Sequence, residues 1–277
     1  MLIVNECPYP FQEGMCLGDL AAELKPGADV LMLNGSPASA AALLQDGDIC
    51  SLIKTGEIPS ALDMERTLAA RHHPEVQRCF QKARVGIMGL GGLGSAVALS
   101  LVKIGIGHLI LADYDVVVLS NIHRQHYFID QIGQLKTTAL KKTLVRSNPF
   151  VAIKTLNVKL SEQSIPRLFS GVDVLVECFD NPAMKAAALR TVLQHMPNTG
   201  YIGSSGMAGY GSGNTIVSRR IKPGVYIVGD NTTEVGDNTP LFAPRVGIAA
   251  HHQANQVVRL LLGVDEETSS TSRDNNQ

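Results

Sequence analysis

The chain has 277 residues, 45% hydrophobic and 18% charged, enough apolar material for a buried core and too even a mixture for a disordered polymer. Lys plus Arg number 24 against 25 for Asp plus Glu, so a net charge of -1 supplies no basic field for nucleic-acid phosphates or anionic lipid, and neither nucleic acid nor membrane is expected as a partner. No apolar run reaches the roughly 20 residues of a membrane span, and Glu6, Pro8 and Pro10 interrupt the N-terminus where a leader would need its apolar stretch. The five cysteines, Cys7, Cys16, Cys50, Cys79 and Cys178, contain no C-x-x-C pair. A cytoplasmic protein with reduced thiols is therefore expected, without a disulfide framework or a four-cysteine zinc site.

Residues 1–58 alternate short β-type runs with turns: Met1–Val4, a helical Leu17–Leu24, Val30 up to Asn34-Gly35, then Asp46-Gly47-Asp48 and Ile49–Ile53. Asn-Gly and Asp-Gly tolerate positive φ between strands, so this segment predicts a small β-grasp module like ubiquitin. A domain that short buries only ~60% of its unfolded surface and is marginal alone. Residues 59–83 read as a helical linker, with Leu68, Val76 and Phe80 among charged residues and a break at His73-Pro74.

Between 84 and 263 strands and helices alternate: Val85–Met88, Leu93–Ile104, Leu109–Ala112, Lys136–Ser147, Ile153–Asn157 and Val172–Cys178. That order predicts βαβ units and a doubly wound, mostly parallel sheet covered on both faces. Helices follow over Pro182–His195 and Pro244–Leu262; between them glycines crowd residues 200–213, and Arg219–Thr239 reads as loop-rich. The polar 264–277 segment reads as a disordered tail.

The strongest local signal is Gly89-Leu90-Gly91-Gly92-Leu93-Gly94, set between a strand and a helix. Glycines there allow a tight turn, bring backbone N–H groups up to a phosphate, and let the helix pack closely on the strand, while the helix N-terminus favours negative charge. Asp113 ends the next strand, where a carboxylate accepts hydrogen bonds from ribose hydroxyls. Turn and acid together fit a dinucleotide or ATP equally, so an NAD-dependent dehydrogenase stays open at this point.

Further motifs follow in order: Asp113-Tyr-Asp115, Ser120-Asn121-Ile-His-Arg124-Gln125, Gly133-Gln134-Leu-Lys136, and Asp180-Asn181. With the glycine turn, this series resembles the ATP-dependent ubiquitin-activating-enzyme-like family of ThiF and MoeB over about residues 66–262, most closely its ThiF type with an N-terminal segment similar to the sulfur carrier ThiS. The resemblance implies a Rossmann-like ATP-binding domain preceded by the β-grasp module. It further implies an adenylyltransferase that joins the α-phosphate of ATP to the C-terminal Gly-Gly carboxylate of ThiS in thiamine thiazole biosynthesis and releases pyrophosphate, with Mg²⁺ and as a homodimer. Residue by residue, it implies nucleotide binding by Gly89, Gly91, Gly92, Gly94, Asp113, Asn121 and Gln125, with Asp115 a secondary candidate. Arg124 and Lys136 are implied on the phosphates, and Asp180 as the Mg²⁺ ligand near the reacting centre. An arginine of the preceding helix, Arg71 with Arg66 in reserve, is implied to reach ATP, often across a dimer.

Many relatives carry two C-x-x-C pairs that bind a structural zinc; without them zinc is not expected here. The crossover stretch 200–239 contains no cysteine, and Cys178 sits within a strand, so this chain is expected to adenylate only, with sulfur delivered by another protein. The β-grasp module runs on into the linker and offers no free Gly-Gly terminus, so it is not the substrate in cis. Remaining alternatives are another carrier of the molybdopterin-synthase small-subunit type, a peptide acceptor, or a non-catalytic nucleotide-binding scaffold.

Overall fold

The structure is a computed structural model in which residues 1–236 and 239–265 are described. The chain divides into two compact units, Met1–Gln77 and Arg78–Gln277.

In the first unit, β1 (Leu2–Val4), β2 (Cys7–Tyr9), α1 (Leu17–Leu24), β3 (Val30–Leu33), β4 (Ser36–Pro37) and β5 (Ile49–Ile53) form a five-stranded sheet in the order β2-β1-β5-β3-β4. The central β1 and β5 are parallel, and each carries an antiparallel neighbour on its outer edge. Alternation along β1 and β5 turns Leu2, Val4, Cys50 and Leu52 inward, where Leu17, Leu20 and Ala21 of α1 meet them. Asn34 and Gly35, both at positive φ, form the two-residue turn between β3 and β4. The Asn34 amide donates to Asp48 Oδ1 (2.8 Å) and accepts from the Ile49 N–H (2.9 Å), which ties the two turns read from the sequence to each other. Helix α2 (Ala61–His72) starts at a capping box: the Ser60 hydroxyl accepts from the Asp63 N–H, and the Asp63 carboxylate accepts from the Ser60 N–H. His73, at a φ of 74°, ends it, and α3 (Pro74–Lys82) follows.

The second unit holds β6 (Arg84–Met88), α4 (Gly92–Lys103), β7 (His108–Asp113), α5 (Lys136–Ser147), β8 (Ala152–Asn157), α6 (Ser164–Leu168), β9 (Val174–Glu177), α7 (Pro182–His195), β10 (Gly200–Ser204), β11 (Val217–Lys222), β12 (Val225–Gly229) and α8 (Ala243–Leu261). Seven strands form one sheet, in the order β11-β12-β10-β9-β6-β7-β8, parallel except for β11. From β6 the chain winds outward through β7 and β8, then returns to the other side of β6 for β9, β10 and β12. The switch point therefore lies between β6 and β9, where an open α/β sheet leaves a crevice beyond its strand ends.

One expectation needs correction. The glycine-crowded and loop-rich stretches contain β10, β11 and β12, three strands of the sheet. β11 escapes pattern reading because it is a polar edge strand, with Ser218, Arg219, Arg220 and Lys222 facing outward or partly so. β10 is hidden by its own glycines: a methyl at Gly203 would press on the Ile227 and Tyr201 side chains. Of the 264–277 segment, Val264 and Asp265 alone are described; the Asp265 carboxylate accepts from Arg220, from the Gly224 N–H and from the Tyr226 hydroxyl, and residues 266–277 lie outside the described part. Among the described residues no helix is long and apolar enough to cross a membrane.

The sheet and α4 meet through backbone alone at Gly94, where an added Cβ would fall 1.9 Å from the Gly89 carbonyl oxygen. Gly94→Ala is expected to destabilise the fold by at least the ~1–3 kcal/mol typical of overpacking. Urea denaturation reads this directly, and an unchanged midpoint contradicts so close an approach.

Candidate active site at the switch point

Strand β6 ends at Met88, and Gly89, at a φ of 87°, turns the chain into α4 directly over the switch point. A methyl on Gly89 would come 2.8 Å from the Cys178 carbonyl beyond β9, so only glycine lets these two strand ends approach. Three side chains hold the turn. Asp113, at the end of β7, accepts from the Leu90 N–H through Oδ2 (2.6 Å) and from the Asp115 N–H through Oδ1 (2.8 Å). The buried Tyr127 hydroxyl donates to the Leu90 carbonyl (2.7 Å). Ser95 donates to the Gly91 carbonyl and accepts from the His126 N–H. Each Asp113 oxygen keeps a lone pair after these bonds, which is the acceptor capacity a ribose diol requires.

The loop after β7 returns over the turn. Arg124 and Gln125 both donate their N–H to the Asn121 carbonyl, forming a single helical turn. This turn packs on the glycines: a Cβ at Gly92 would lie 3.2 Å from the Arg124 carbonyl, and one at Gly91 would lie 3.7 Å from Gln125 Nε2. A cleft of about 180 Å³ opens here, lined by Gly92, Arg124, Gln125 and His126 with Ala243 and Gly247 of α8. Gln125 is 8% exposed, and its Oε1 is buried without a hydrogen-bond partner. A buried acceptor left open in this way is rare unless a ligand or water donates to it. His126 beside the cleft has its pKa lowered by burial and by the positive charge of His251 and Lys103.

Lys136, 5% exposed at the start of α5, donates to Asp115 Oδ2 at 2.8 Å. Two of its three N–H donors are left for other acceptors. Arg124 donates through Nη1 to the Ser120 carbonyl at 3.1 Å. Asp180 lies exposed three residues past β9, and among the described residues its carboxylate has no hydrogen-bond or ionic partner. A carboxylate without a partner on the strand end facing the glycine turn is a donor of the kind Mg²⁺ takes, since that ion binds one or two carboxylates and fills its remaining positions with phosphate oxygens and water. No group of three or more His, Cys, Asp or Glu is arranged around a metal among the described residues.

The structure thus gathers Gly89, Gly91, Gly92, Gly94, Asp113, Asp115, Asn121, Arg124, Gln125 and Lys136 around one turn, with Asp180 on the facing strand end. Arg71 and Arg66 belong to the first unit, where the Arg71 guanidinium bonds Glu6 Oε1 at 2.7 Å.

Pattern reading missed the groups that hold the strand ends. Glu177, the last residue of β9 and 1% exposed, accepts from the Phe179 N–H (2.6 Å), the Lys185 ammonium (3.0 Å) and the Ser204 N–H (3.1 Å). Burial raises its pKa, opposed by Lys185 and the two N–H donors. Gln253 of α8 donates to the Glu177 carbonyl and faces the thiol of Cys178, whose pKa burial pushes well up, as suits a structural thiol. Beyond β12, Arg245 donates to Asp230 (2.6 Å), Thr215 and the carbonyls of Gly211 and Ser212, so one buried guanidinium carries the glycine-rich segment. The single sequence signal for these pairs is a charged residue at the end of an otherwise apolar strand.

A profile of the ThiF family matches residues 64–276, and a profile of ThiS-like ubiquitin matches residues 1–56. With more than three-quarters of its length matched by the first of these, the chain belongs to the ThiF family. It is 30% identical over 194 residues to the Escherichia coli protein named sulfur carrier protein ThiS adenylyltransferase, which covers 68% of this chain and 76% of that one. To the molybdopterin-synthase adenylyltransferase of the same organism it is 38% identical over 110 residues, 39% of this chain and 44% of the relative, so the match spans less than half of that protein. The fold is also that of the E. coli tRNA N6-threonylcarbamoyladenosine dehydratase TcdA in complex with ATP, with a TM-score of 0.67 at 17% identity over 75% of this chain and 98% of that one.

Burial opposes the charge on Asp230, but the N–H groups of Thr232 and Thr233, the Thr233 hydroxyl and Arg245 outweigh it and hold the carboxyl well below the usual carboxylate range. A depressed pKa contributes stability that is present above the ordinary aspartate value and is lost as pH falls below it. Arg245→Ala removes the ionic partner of a buried carboxylate but leaves its threonine donors, so it is expected to cost up to the ~3–5 kcal/mol of a broken buried pair at neutral pH. The deficit should shrink as pH drops below about 4; urea denaturation at stepped pH measures it, and a pH-independent deficit contradicts the pairing.

Proposed function

We propose that this chain uses Mg-ATP to adenylate the C-terminal carboxylate of a small β-grasp carrier, ThiS in the first instance. The observation that carries this reading is the Asp113 carboxylate bonded to the N–H of the glycine turn, a ribose acceptor fixed beside a phosphate cradle. The 30% identical relative is named for adenylation of ThiS, and the N-terminal unit here is itself ThiS-like.

In the proposed reaction the sugar lies against Asp113, and the Gln125 amide, whose buried oxygen lacks a donor, takes a hydroxyl or amino group of the nucleoside. The triphosphate follows the turn toward Arg124 and Lys136. A carrier carboxylate is already ionised, so no general base is needed: its oxygen bonds to the α-phosphorus as the bridge to the β-phosphate breaks, leaving acyl-adenylate and pyrophosphate. The chain's task is positioning and charge neutralisation. Arg124 and the free donors of Lys136 meet the developing charge, and Asp115 keeps Lys136 in place. Asp180 would hold Mg²⁺, which would supply further neutralisation of the phosphates. Burial and the nearby His251 and Lys103 disfavour the charged form of His126 at the cleft.

A cytoplasmic homodimer is part of this reading. The loop that carries Arg124 also bears Tyr114, Leu119, Phe128 and Ile129, each more than half exposed, an apolar load that a second copy would cover. In that arrangement Arg71, or Arg66, is the linker arginine for ATP, and Arg71 would exchange Glu6 for phosphate. The chain has no cysteine between 200 and 239, so sulfur comes from another protein. A second acceptor, the molybdopterin-synthase small subunit, is favoured by the 38% identity to its adenylyltransferase.

Carrier-dependent exchange of labelled pyrophosphate into ATP separates the acceptors: exchange with ThiS alone is expected, and exchange with the other carrier alone reverses the assignment. Lys136→Ala and Asp180→Ala are each expected to lower the exchange rate by at least ~10²-fold, the scale of one positioned charge-stabilising group. Near-normal rates in both variants would break the residue assignment.

A further inference from the structure

Asp180 is an exposed carboxylate without a partner, on a turn only three residues beyond the end of β9. Such a side chain on a short loop ordinarily samples many directions, and a metal ligand that wanders is a poor one. Here the backbone on both sides is fixed. Upstream, the Cys178 N–H donates to the Met88 carbonyl (2.8 Å), and the Phe179 N–H donates to the Glu177 side chain (2.6 Å). Downstream, Asn181 caps α7 by accepting from the Met184 N–H, and Lys185, one turn into that helix, reaches back to Glu177 Oε1 (3.0 Å) and to the Ser204 hydroxyl (2.6 Å). The second oxygen of Glu177 accepts from the Ser204 N–H, which adds the end of β10. One buried carboxylate thus gathers the strand before Asp180, the turn that bears it, the helix after it and the neighbouring strand.

A carboxylate with 1% exposure is costly to desolvate, and an apolar residue of its size would fill the same space with less penalty. What a charge supplies that an apolar side chain does not is a fixed set of directed bonds to Phe179, Ser204 and Lys185. We propose that Glu177 and Lys185 are positioning residues that set the turn of Asp180 and so govern how this chain takes up a divalent cation with ATP. The inference rests on the metal role given to Asp180 above and extends it to two residues that touch neither nucleotide nor metal.

The test uses the full chain. ATP binding is measured by calorimetry with Mg²⁺ and with excess chelator, for the wild type and for Glu177→Gln, which keeps the shape and one acceptor while removing the charge; far-UV circular dichroism and the thermal midpoint establish that the variant is folded. In the wild type Mg²⁺ should strengthen ATP binding. In Glu177→Gln the apparent Mg²⁺ requirement should rise about 10–100-fold, the usual cost of losing an outer partner of a metal ligand. Its ATP affinity in chelator should match the wild type, and pyrophosphate exchange should lose kcat at saturating ATP rather than raise KM for ATP at saturating Mg²⁺. A folded Glu177→Gln protein with wild-type Mg²⁺ dependence and kcat overturns the inference while leaving the proposed activity standing. A wild type whose ATP binding Mg²⁺ does not strengthen overturns the metal role of Asp180 and this inference with it. If Glu177→Gln does not fold, Lys185→Arg carries the same comparison, since it keeps the charge but re-aims the donors; its expected sign is the same, and wild-type Mg²⁺ dependence again overturns the inference.

Discussion

The closeness of α4 to β6 governs the whole ligand face. Gly94 lies against the Gly89 carbonyl with no room for a methyl, and Gly89 lies close, though less tightly, against the carbonyl beyond β9. These backbone contacts put the N–H groups of the turn over the crevice between β6 and β9, and every candidate group is placed relative to them. Asp113 reaches the site because its carboxylate binds Leu90; Arg124 and Gln125 reach it because their helical turn packs on Gly91 and Gly92. Side-chain chemistry is added to a site that backbone geometry has already outlined.

Electrostatics does the finishing at the strand ends. β9 ends in Glu177 with Lys185, and β12 ends next to Asp230 with Arg245, both pairs largely withdrawn from water. Neither pair is a strong source of net stability, because desolvation offsets most of the attraction between the charges. Their contribution is direction: Glu177 fixes the turn of Asp180, and Arg245 fixes the path of the glycine-rich segment through two carbonyls and a threonine. Asp180 stands on a turn tied to the Glu177–Lys185 pair, whereas Arg124 is placed by packing on the glycine turn and Lys136 by its bond to Asp115.

Much of this was readable in the residues. Apolar runs between glycine turns gave away β6, β7 and β9 because these strands are buried on both faces and need no alternation. Asn34-Gly35 marked its hairpin because few residues adopt positive φ twice in succession. The glycine series and the motifs after Asp113 led to the turn, since their roles depend on backbone approach and local spacing. β10 to β12 were not legible, one disguised by glycines that pack and another by the polarity of a sheet edge. Glu177 with Lys185 and Asp230 with Arg245 were not legible either: each is a contact between distant or differently oriented positions, and no local period encodes it. Tyr127 belongs with them, an aromatic residue whose hydroxyl is aimed at Leu90 by the fold alone.

The central claim is that this crevice holds ATP so that a carrier terminus displaces pyrophosphate from its α-phosphorus. Mass spectrometry of ThiS, and of the molybdopterin-synthase small subunit, after incubation with the full chain and Mg-ATP tests it most directly. The account predicts a carrier heavier by one adenylyl group at its C-terminal carboxylate, with one pyrophosphate released for each adduct formed. An unmodified carrier, together with a purified chain that retains a redox dinucleotide and has no measurable affinity for ATP, would contradict it.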